Sequence, residues 1–306
     1  MTNLRVGVIG VGHLGQHHAR LLKELPGVTL AGVVDSHAAR AQEIAAKYGT
    51  AAFTSPAELL SRVDAVSIAA PTEAHIDLAL PFVDAGIPVL VEKPIAASVA
   101  DADRLLEAAA RRGTMVAAGH TERFNPAVAA ARPLISAPRF IEIHRLGTFP
   151  ERSLDIDVIF DLMIHDLDLL LTIVGEAVTS VEAVGVNVLT PRTDIANVRL
   201  RFASGCIANL TASRISRDRV RKARFFQPQS YVSIDYAAQE VEVYRLRPTA
   251  GRPAIEGGKL DIPSEEPLRR ELADFVEAVR AGTPPGVTGR DGREALALAT
   301  RIAELM

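Results

Sequence analysis

A short β-branched apolar run, Leu4 to Ile9 (LRVGVI), passes without a break into Gly10-Val11-Gly12-His13-Leu14-Gly15 and then into an amphipathic stretch reaching about Glu24. That succession predicts a buried parallel strand, a tight turn and a helix, and few folds use it. The glycines let the turn's backbone approach a pyrophosphate, and the helix N-terminus adds N–H groups and the positive end of its dipole. A glycine pattern alone is a weak signal. Here the next strand, Val28 to Val34, ends in Asp35, 20 residues after Gly15. A carboxylate there accepts hydrogen bonds from the adenosine ribose, so the pair of features points to a dinucleotide-binding half. Asp35 repels a 2′-phosphate, which favours NAD over NADP, although Arg40 stands close by in sequence.

The alternation continues through a helix at Ala38 to Tyr48, a short strand near Ala51-Ala52-Phe53, a helix at Ser55 to Leu60, a strand at Ala65 to Ala69, a helix at Ile76 to Ala85, a strand at Pro88 to Val91, a helix at Asp101 to Arg112 and a strand at Thr114 to Ala118. It predicts an α/β doubly wound parallel sheet over residues 1–120. Ligands of such sheets bind at the carboxyl ends of the strands. The residues placed there are Ala70-Pro71-Thr72 with His75, and Glu92-Lys93-Pro94. The expected cofactor contacts are therefore Gly10, Gly12, His13, Leu14, Gly15, Asp35, Pro71, Thr72, His75, Glu92 and Lys93. Past residue 120 comes a polar crossing, Gly119-His120-Thr121-Glu122-Arg123-Phe124-Asn125-Pro126, which places His120, Arg123 and Phe124 as substrate contacts.

From Pro138 the pattern changes to alternating segments: Phe140 to Leu146, Val178 to Leu189, Ala196 to Phe202, Cys206 to Ser213, Val220 to Phe226, Tyr231 to Ile234 and Val241 to Leu246. These predict an α+β second domain, residues 121–306, built on a large, mainly antiparallel sheet. Pro248 to Pro263 reads as a loop, and two closing helices follow from Pro267 and Asp291. The exceptional segment is Asp157 to Gly175, DVIFDLMIHDLDLLLTIVG. As a helix it is apolar almost all round and belongs in a core, yet it carries Asp161, His165, Asp166 and Asp168. Asp161, His165 and Asp168 stand at i, i+4 and i+7, on one face. Buried carboxylates without partners are costly, so that face either lines a polar site or is fully paired.

With a formal net charge of −3, the chain has no global attraction for nucleic acid or a membrane surface. A single Cys206 and eight His without ligand spacing argue for a metal-free, cytoplasmic protein. The first residues enter a strand at once, without the pattern of a secretory signal. Locally, Arg214, Arg217, Arg219, Arg221, Lys222 and Arg224 crowd one short run. Arg217 and Arg221 are the pair expected to grip a diphosphate, with Arg219 on the same strand face, while most of the run is a solvated face or subunit contact.

Gly10 to Gly15 followed by His18, Pro71 with His75, Glu92-Lys93-Pro94, and Asp161-Leu-Met-Ile-His165-Asp-Leu-Asp168 together resemble the Gfo/Idh/MocA oxidoreductase family over essentially the whole chain. That family usually has three glycines ahead of the Asp, where this chain has Val158-Ile159-Phe160. The wording GHTERFNP, with RSLDIDVIFDLMIHD later, is similar to a narrower branch acting on the nucleotide sugar UDP-N-acetylglucosamine on the route to diamino-sugar lipid A. The resemblance implies a homodimer or homotetramer through the large sheet, a sugar or nucleotide-sugar substrate, and Lys93, Asp161 and His165 as catalytic residues that also contact substrate. In the expected reaction His165 takes the hydroxyl proton, Lys93 steadies the oxygen and Asp161 orients His165, with Asp168 structural. His165 and Lys93 can exchange the role of base. Two other readings stay open: a dehydrogenase of inositol or a free sugar, and a non-catalytic NAD sensor, which needs only the glycine loop and Asp35.

Overall fold

The computed structural model describes residues 3–149, 156–249 and 252–306. It divides into two compact units: Met1–Thr121 with Pro267–Leu296, and Glu122–Glu266 with Ala297–Met306. A boundary thus falls at residue 121, but residues 267–296 return to the first unit.

In the first unit the strands β1 (Leu4–Ile9), β2 (Val28–Val34), β3 (Ala52–Phe53), β4 (Ala65–Ile68), β5 (Val89–Glu92) and β6 (Val116–Gly119) form one sheet in the order β3-β2-β1-β4-β5-β6. Every pairing in it is parallel. The order reverses between β1 and β4, where the carboxyl ends of the strands open a ligand crevice. Helices α1 (Gly15–Glu24), α2 (Ala38–Tyr48), α3 (His75–Asp84) and α4 (Val99–Arg112) make the connections. The expected helix at Ser55 is only a 3₁₀ turn, Pro56–Leu59, closed by a capping box between Ser55 and Glu58.

In the second unit α5 (Pro126–Ala131) and β7 (Phe140–Leu146) precede a π-helical turn, Ile159–Met163, which runs into α6 (Ile164–Val174). The expected single helix from Asp157 is therefore two segments, ended by Gly175 in the left-handed region. Strands β8 (Val178–Val186), β9 (Ile195–Phe202), β10 (Ile207–Ser213), β11 (Val220–Gln227), β12 (Ser230–Asp235), β13 (Glu240–Arg247) and β14 (Ala254–Lys259) join β7 in a sheet ordered β14-β13-β12-β11-β7-β10-β9-β8. Only β7 with β10 is parallel. The inward face carries Ile141, Ile143, Val198, Leu200, Leu210, Phe225 and Val232, all buried. The strand β14 falls where a loop was expected; its glycines mask the alternation, and most of it is exposed at the sheet edge.

The two last helices are α7 (Pro267–Ala281) and α8 (Gly289–Ala303). α7 returns to the first unit because Leu268, Leu272, Phe275 and Val276 form one apolar stripe that joins the cluster of Val6, Leu21 and Leu22. Burying each such side chain contributes about 1.5–3 kcal/mol.

Candidate active site

The glycine loop after β1 has the shape a dinucleotide requires. Gly10 takes φ +81°, and an added Cβ would lie 2.8 Å from the Ala69 carbonyl oxygen. A Cβ on Gly15 would run into the Gly10 carbonyl, so α1 packs as close to the turn as backbone permits. Gly12 differs: a Cβ there meets nothing within 4 Å. Its Cα faces open space that a side chain would fill and a pyrophosphate can occupy. His13 and Leu14 beside it are exposed.

Asp35 closes the loop from the end of β2. Its Oδ2 accepts from the Val11 N–H at 3.1 Å and its Oδ1 from the His37 N–H at 3.0 Å. Arg40 is a strut rather than a phosphate ligand. Its Nε donates to the Val11 carbonyl at 2.8 Å and its Nη2 to the Gly12 carbonyl at 3.4 Å, while Nη1 pairs with Glu43 at 2.8 Å. A guanidinium so committed, beside a carboxylate, suits the free ribose hydroxyls of NAD.

His75 and Glu92, expected to touch the cofactor, are buried and hold the turns around Lys93. His75 is 1% exposed, with Nδ1 2.9 Å from the Pro94 carbonyl oxygen and Nε2 2.9 Å from that of Ala70. It thereby ties the turn carrying Pro71 and Thr72 to the Lys93-Pro94 turn, whose peptide bond is cis. Glu92 Oε2 accepts from the Lys93 N–H at 3.1 Å; its Oε1 lies 3.1 Å from His18 Nε2, and His18 Nδ1 lies 2.8 Å from Ser67 Oγ. Burial alone would raise the Glu92 carboxyl, but the hydrogen bond and charge of His18, with the charge of Lys93, hold it below the usual carboxylate range. Gly119 leaves the room: a Cβ there would sit 2.8 Å from Glu92 Cδ. The Lys93 backbone is thus fixed on both sides while its side chain stays part-exposed. His120 is buried at 1%.

In the second unit the ionisable groups of the Asp161–Asp168 segment part company. Asp166 meets Arg145 in a bidentate pair, 2.8 Å on each arm, and Arg145 also reaches Glu122 at 3.2 Å. Its guanidinium lies over the Tyr236 ring at 5.4 Å, and Asn125 donates to the Tyr236 carbonyl at 3.0 Å. Burial opposes the Arg145 charge, but Asp166 and Glu122 outweigh it and hold the pKa above its ordinary value. Burial, with the charge of Asp166, pushes the Tyr236 hydroxyl well up. Asp168 is sealed by Arg123, with Nε and Nη2 at 2.7 and 2.6 Å from its two oxygens. Arg123, expected as a substrate contact, is thus occupied in this pair. Asp161 and His165 are part-exposed, as is Phe124. Val158 and Ile159, standing where the family usually has glycine, are fully buried and belong to the core.

A cavity of about 720 Å³ opens beside the π-helical turn, lined by Asp161, Thr148, Phe149, Arg214, Arg219 and Arg221 among others. Arg214 belongs to its wall: Nε pairs with Asp194 at 2.9 Å and Nη1 donates to the Ile156 carbonyl at 2.6 Å. The Asp194 carboxyl, despite burial, is held far below the usual range by the N–H groups of Leu189 and Thr190, the Thr190 hydroxyl and Arg214. Lys222 and Arg224 pair with Asp235 and Glu142. Arg217 does not line the cavity. Alternation was expected to align it with Arg219 and Arg221, but β11 begins only at Val220, and Arg217 sits exposed in the bend before it.

The residues missed by sequence reasoning are Ser67, Glu122, Arg145, Tyr236, Thr148 and Phe149. A signal existed for one. Arg145 continues the inward positions Ile141 and Ile143 of β7, and a cation on a core face demands a buried acid.

Among the described residues no group of His, Cys, Asp or Glu is arranged to hold a metal ion, and no helix is long and apolar enough to cross a membrane. Residues 4–120 match the oxidoreductase family model with an NAD-binding Rossmann fold, and residues 139–229 match the GFO/IDH/MocA C-terminal domain. A UDP-N-acetylglucosamine 3-dehydrogenase of Acidithiobacillus ferrooxidans is 40% identical over 99% of this chain and 97% of its own length. A solved structure of a UDP-N-acetylglucosamine 3-dehydrogenase from the same organism superposes with a TM-score of 0.94 at 39% identity, over 100% of this chain and 98% of that one. A myo-inositol 2-dehydrogenase of Thermotoga maritima is 29% identical over 96% of this chain and 94% of its own length.

Proposed function

This chain belongs to the Gfo/Idh/MocA family of NAD-dependent oxidoreductases, which act on the CH–OH groups of sugar-type substrates, and we propose that its own substrate is UDP-N-acetylglucosamine, oxidised at C3. One observation carries the assignment of roles. Of the four ionisable groups on the Ile159–Val174 segment, Asp166 and Asp168 are buried against guanidinium groups, whereas Asp161 and His165 keep access to solvent. A group that only stabilises the fold has no reason to stay open.

Bound NAD supplies the hydride acceptor, and the protein supplies orientation and proton removal. In this reading His165 takes the proton from the substrate hydroxyl. Lys93, its backbone fixed by Glu92 and His75, donates to the reacting oxygen and steadies its growing charge. Asp161 orients His165. The preference for a nucleotide sugar over inositol rests on the 40% identical relative, against 29% for the inositol enzyme. NADH absorbance with UDP-N-acetylglucosamine, UDP-glucose, N-acetylglucosamine and myo-inositol tests it. The expected result is turnover with the first substrate, at a kcat/KM well above the others; faster turnover of inositol refutes the substrate assignment, and NAD binding with no turnover of any member favours the sensor.

The same reading places the enzyme in the cytoplasm, ahead of an amino transfer to the new ketone on the route to diamino-sugar lipid A. It also makes the protein a homo-oligomer through the outer face of the large sheet. Phe140, Phe226, Tyr231 and Tyr244 form one row across four strands, with ring centroids 5.6, 5.2 and 6.2 Å apart. Phe226 and Tyr244 are 37% and 40% exposed. Such a contiguous apolar row marks an interaction surface. Tyr244→Lys with Phe226→Lys should yield monomers by light scattering with unchanged circular dichroism; an unaltered mass would remove this face from the interface.

A further inference from the structure

Four guanidinium groups line the cavity beside Asp161. Arg145 is matched by Asp166 and Glu122, and Arg214 by Asp194. Among the described residues Arg219 and Arg221 have no acidic partner within ion-pair distance; both are exposed, and Arg219 Nη2 donates to Thr148 Oγ1 at 3.4 Å. Asp161 lines the same cavity. Two guanidinium forks on one wall of a concave site are the chemistry that recognises adjacent phosphoryl groups.

The neighbours of these arginines give the cavity a direction. Phe149, 46% exposed, follows Thr148, which holds Arg219. Arg221 comes next, paired across the sheet with Arg145, whose guanidinium grips Asp166 of the segment that carries Asp161. An aromatic ring, two cations and a carboxylate therefore share one cavity. The two cations can each meet one of two linked phosphates, and the exposed ring offers a planar apolar surface for a base. Asp161 repels a phosphate and accepts from hydroxyls, so the anion belongs at the arginine end and the sugar at the carboxylate end.

We propose that this cavity is a nucleoside-diphosphate subsite, in which Arg219 and Arg221 hold the two phosphates and Phe149 stacks on the base. The inference rests on the nucleotide-sugar reading above, but it concerns binding, and its test needs no turnover. The volume, about 720 Å³, lies within the range of small-molecule pockets. A free sugar or cyclitol has no anion to match the two cations.

Calorimetric titration of the whole protein with UDP, pyrophosphate and N-acetylglucosamine decides it. UDP should bind, and Arg219→Ala and Arg221→Ala should each weaken it roughly 10- to 100-fold, as expected for hydrogen bonds between charged groups. Phe149→Ala should weaken UDP roughly 5- to 100-fold while leaving pyrophosphate unchanged, since stacking involves only the base. Arg217→Ala should change neither. All of these side chains are exposed, and circular dichroism of each variant checks that it is folded. Failure of wild type to bind UDP, or equal UDP affinity in Arg219→Ala and Arg221→Ala, overturns the subsite. Loss of pyrophosphate affinity in Phe149→Ala overturns the role of the ring. UDP binding at these arginines without oxidation of any UDP-sugar sinks the dehydrogenase substrate and leaves the subsite standing; oxidation of UDP-N-acetylglucosamine with an unchanged KM in Arg219→Ala/Arg221→Ala does the reverse.

Discussion

Lys93→Ala and His165→Ala should each lower kcat by about 100- to 10,000-fold while leaving NAD affinity within a few-fold of wild type, the range typical of a lost proton acceptor or oxyanion donor. The expectation for NAD follows from the geometry of the glycine loop. The glycine loop at Gly12 and the Asp35 carboxylate, the proposed pyrophosphate and ribose contacts, are held by β1, β2 and Arg40, and no Lys93 or His165 atom enters those hydrogen bonds. Fluorescence titration of NAD alongside steady-state kinetics separates the two effects. A variant that keeps wild-type kcat loses its assigned role. A variant that loses NAD binding in parallel with turnover has been damaged in its fold, and Lys93→Met or His165→Asn then repeats the measurement with less change of volume.

The second large effect is on stability. Asp166→Ala should destabilise the second unit by about 3–5 kcal/mol, because it leaves Arg145 charged in the interior with part of its compensation gone. Arg145 is 3% exposed and Asp166 1%, so water cannot replace the missing carboxylate. Glu122, at 3.2 Å from one arm, remains beside it, and the stacking on Tyr236 does not supply a negative charge. Replacing both partners, Arg145→Met with Asp166→Leu, should recover most of the loss, since a buried ion pair exchanged for packed apolar groups is often neutral. Urea unfolding followed by tyrosine fluorescence measures both. A loss below about 1 kcal/mol for the single variant would place the pair among weak, solvent-screened interactions and contradict its burial.

These two predictions divide a segment that looks uniform as a string of letters. Helical spacing puts Asp161, His165 and Asp168 on one face, and it says that such a face needs either partners or a site. It does not say which acids take which course. The partners lie far along the chain: Arg123 and Arg145 stand 45 and 21 residues before Asp168 and Asp166. Strand pairing and the π-helical turn decide the assignment: Asp166 and Asp168 are buried against arginines, and Asp161 and His165 stay part-exposed. The arginine run behaves similarly. Its composition leaves a solvated face and an anion site both open, and the fold brings Arg219 and Arg221, but not Arg217, to the cavity wall.

The sequence by itself determined what depends on neighbours: the strand–glycine turn–helix, Asp35 at the end of β2, the alternation that builds a parallel sheet, and the change of period that starts a second one. Those features are legible because backbone sterics and side-chain periodicity act within a few residues of each other. Only the tertiary structure decided the return of α7 to the first unit, the burial of His75 and Glu92 beside the Lys93 turn, and the pairing of Asp166 and Asp168 with distant arginines. Each of those is a choice between partners distant in the chain, made by which charges can be desolvated together, and no local pattern encodes it.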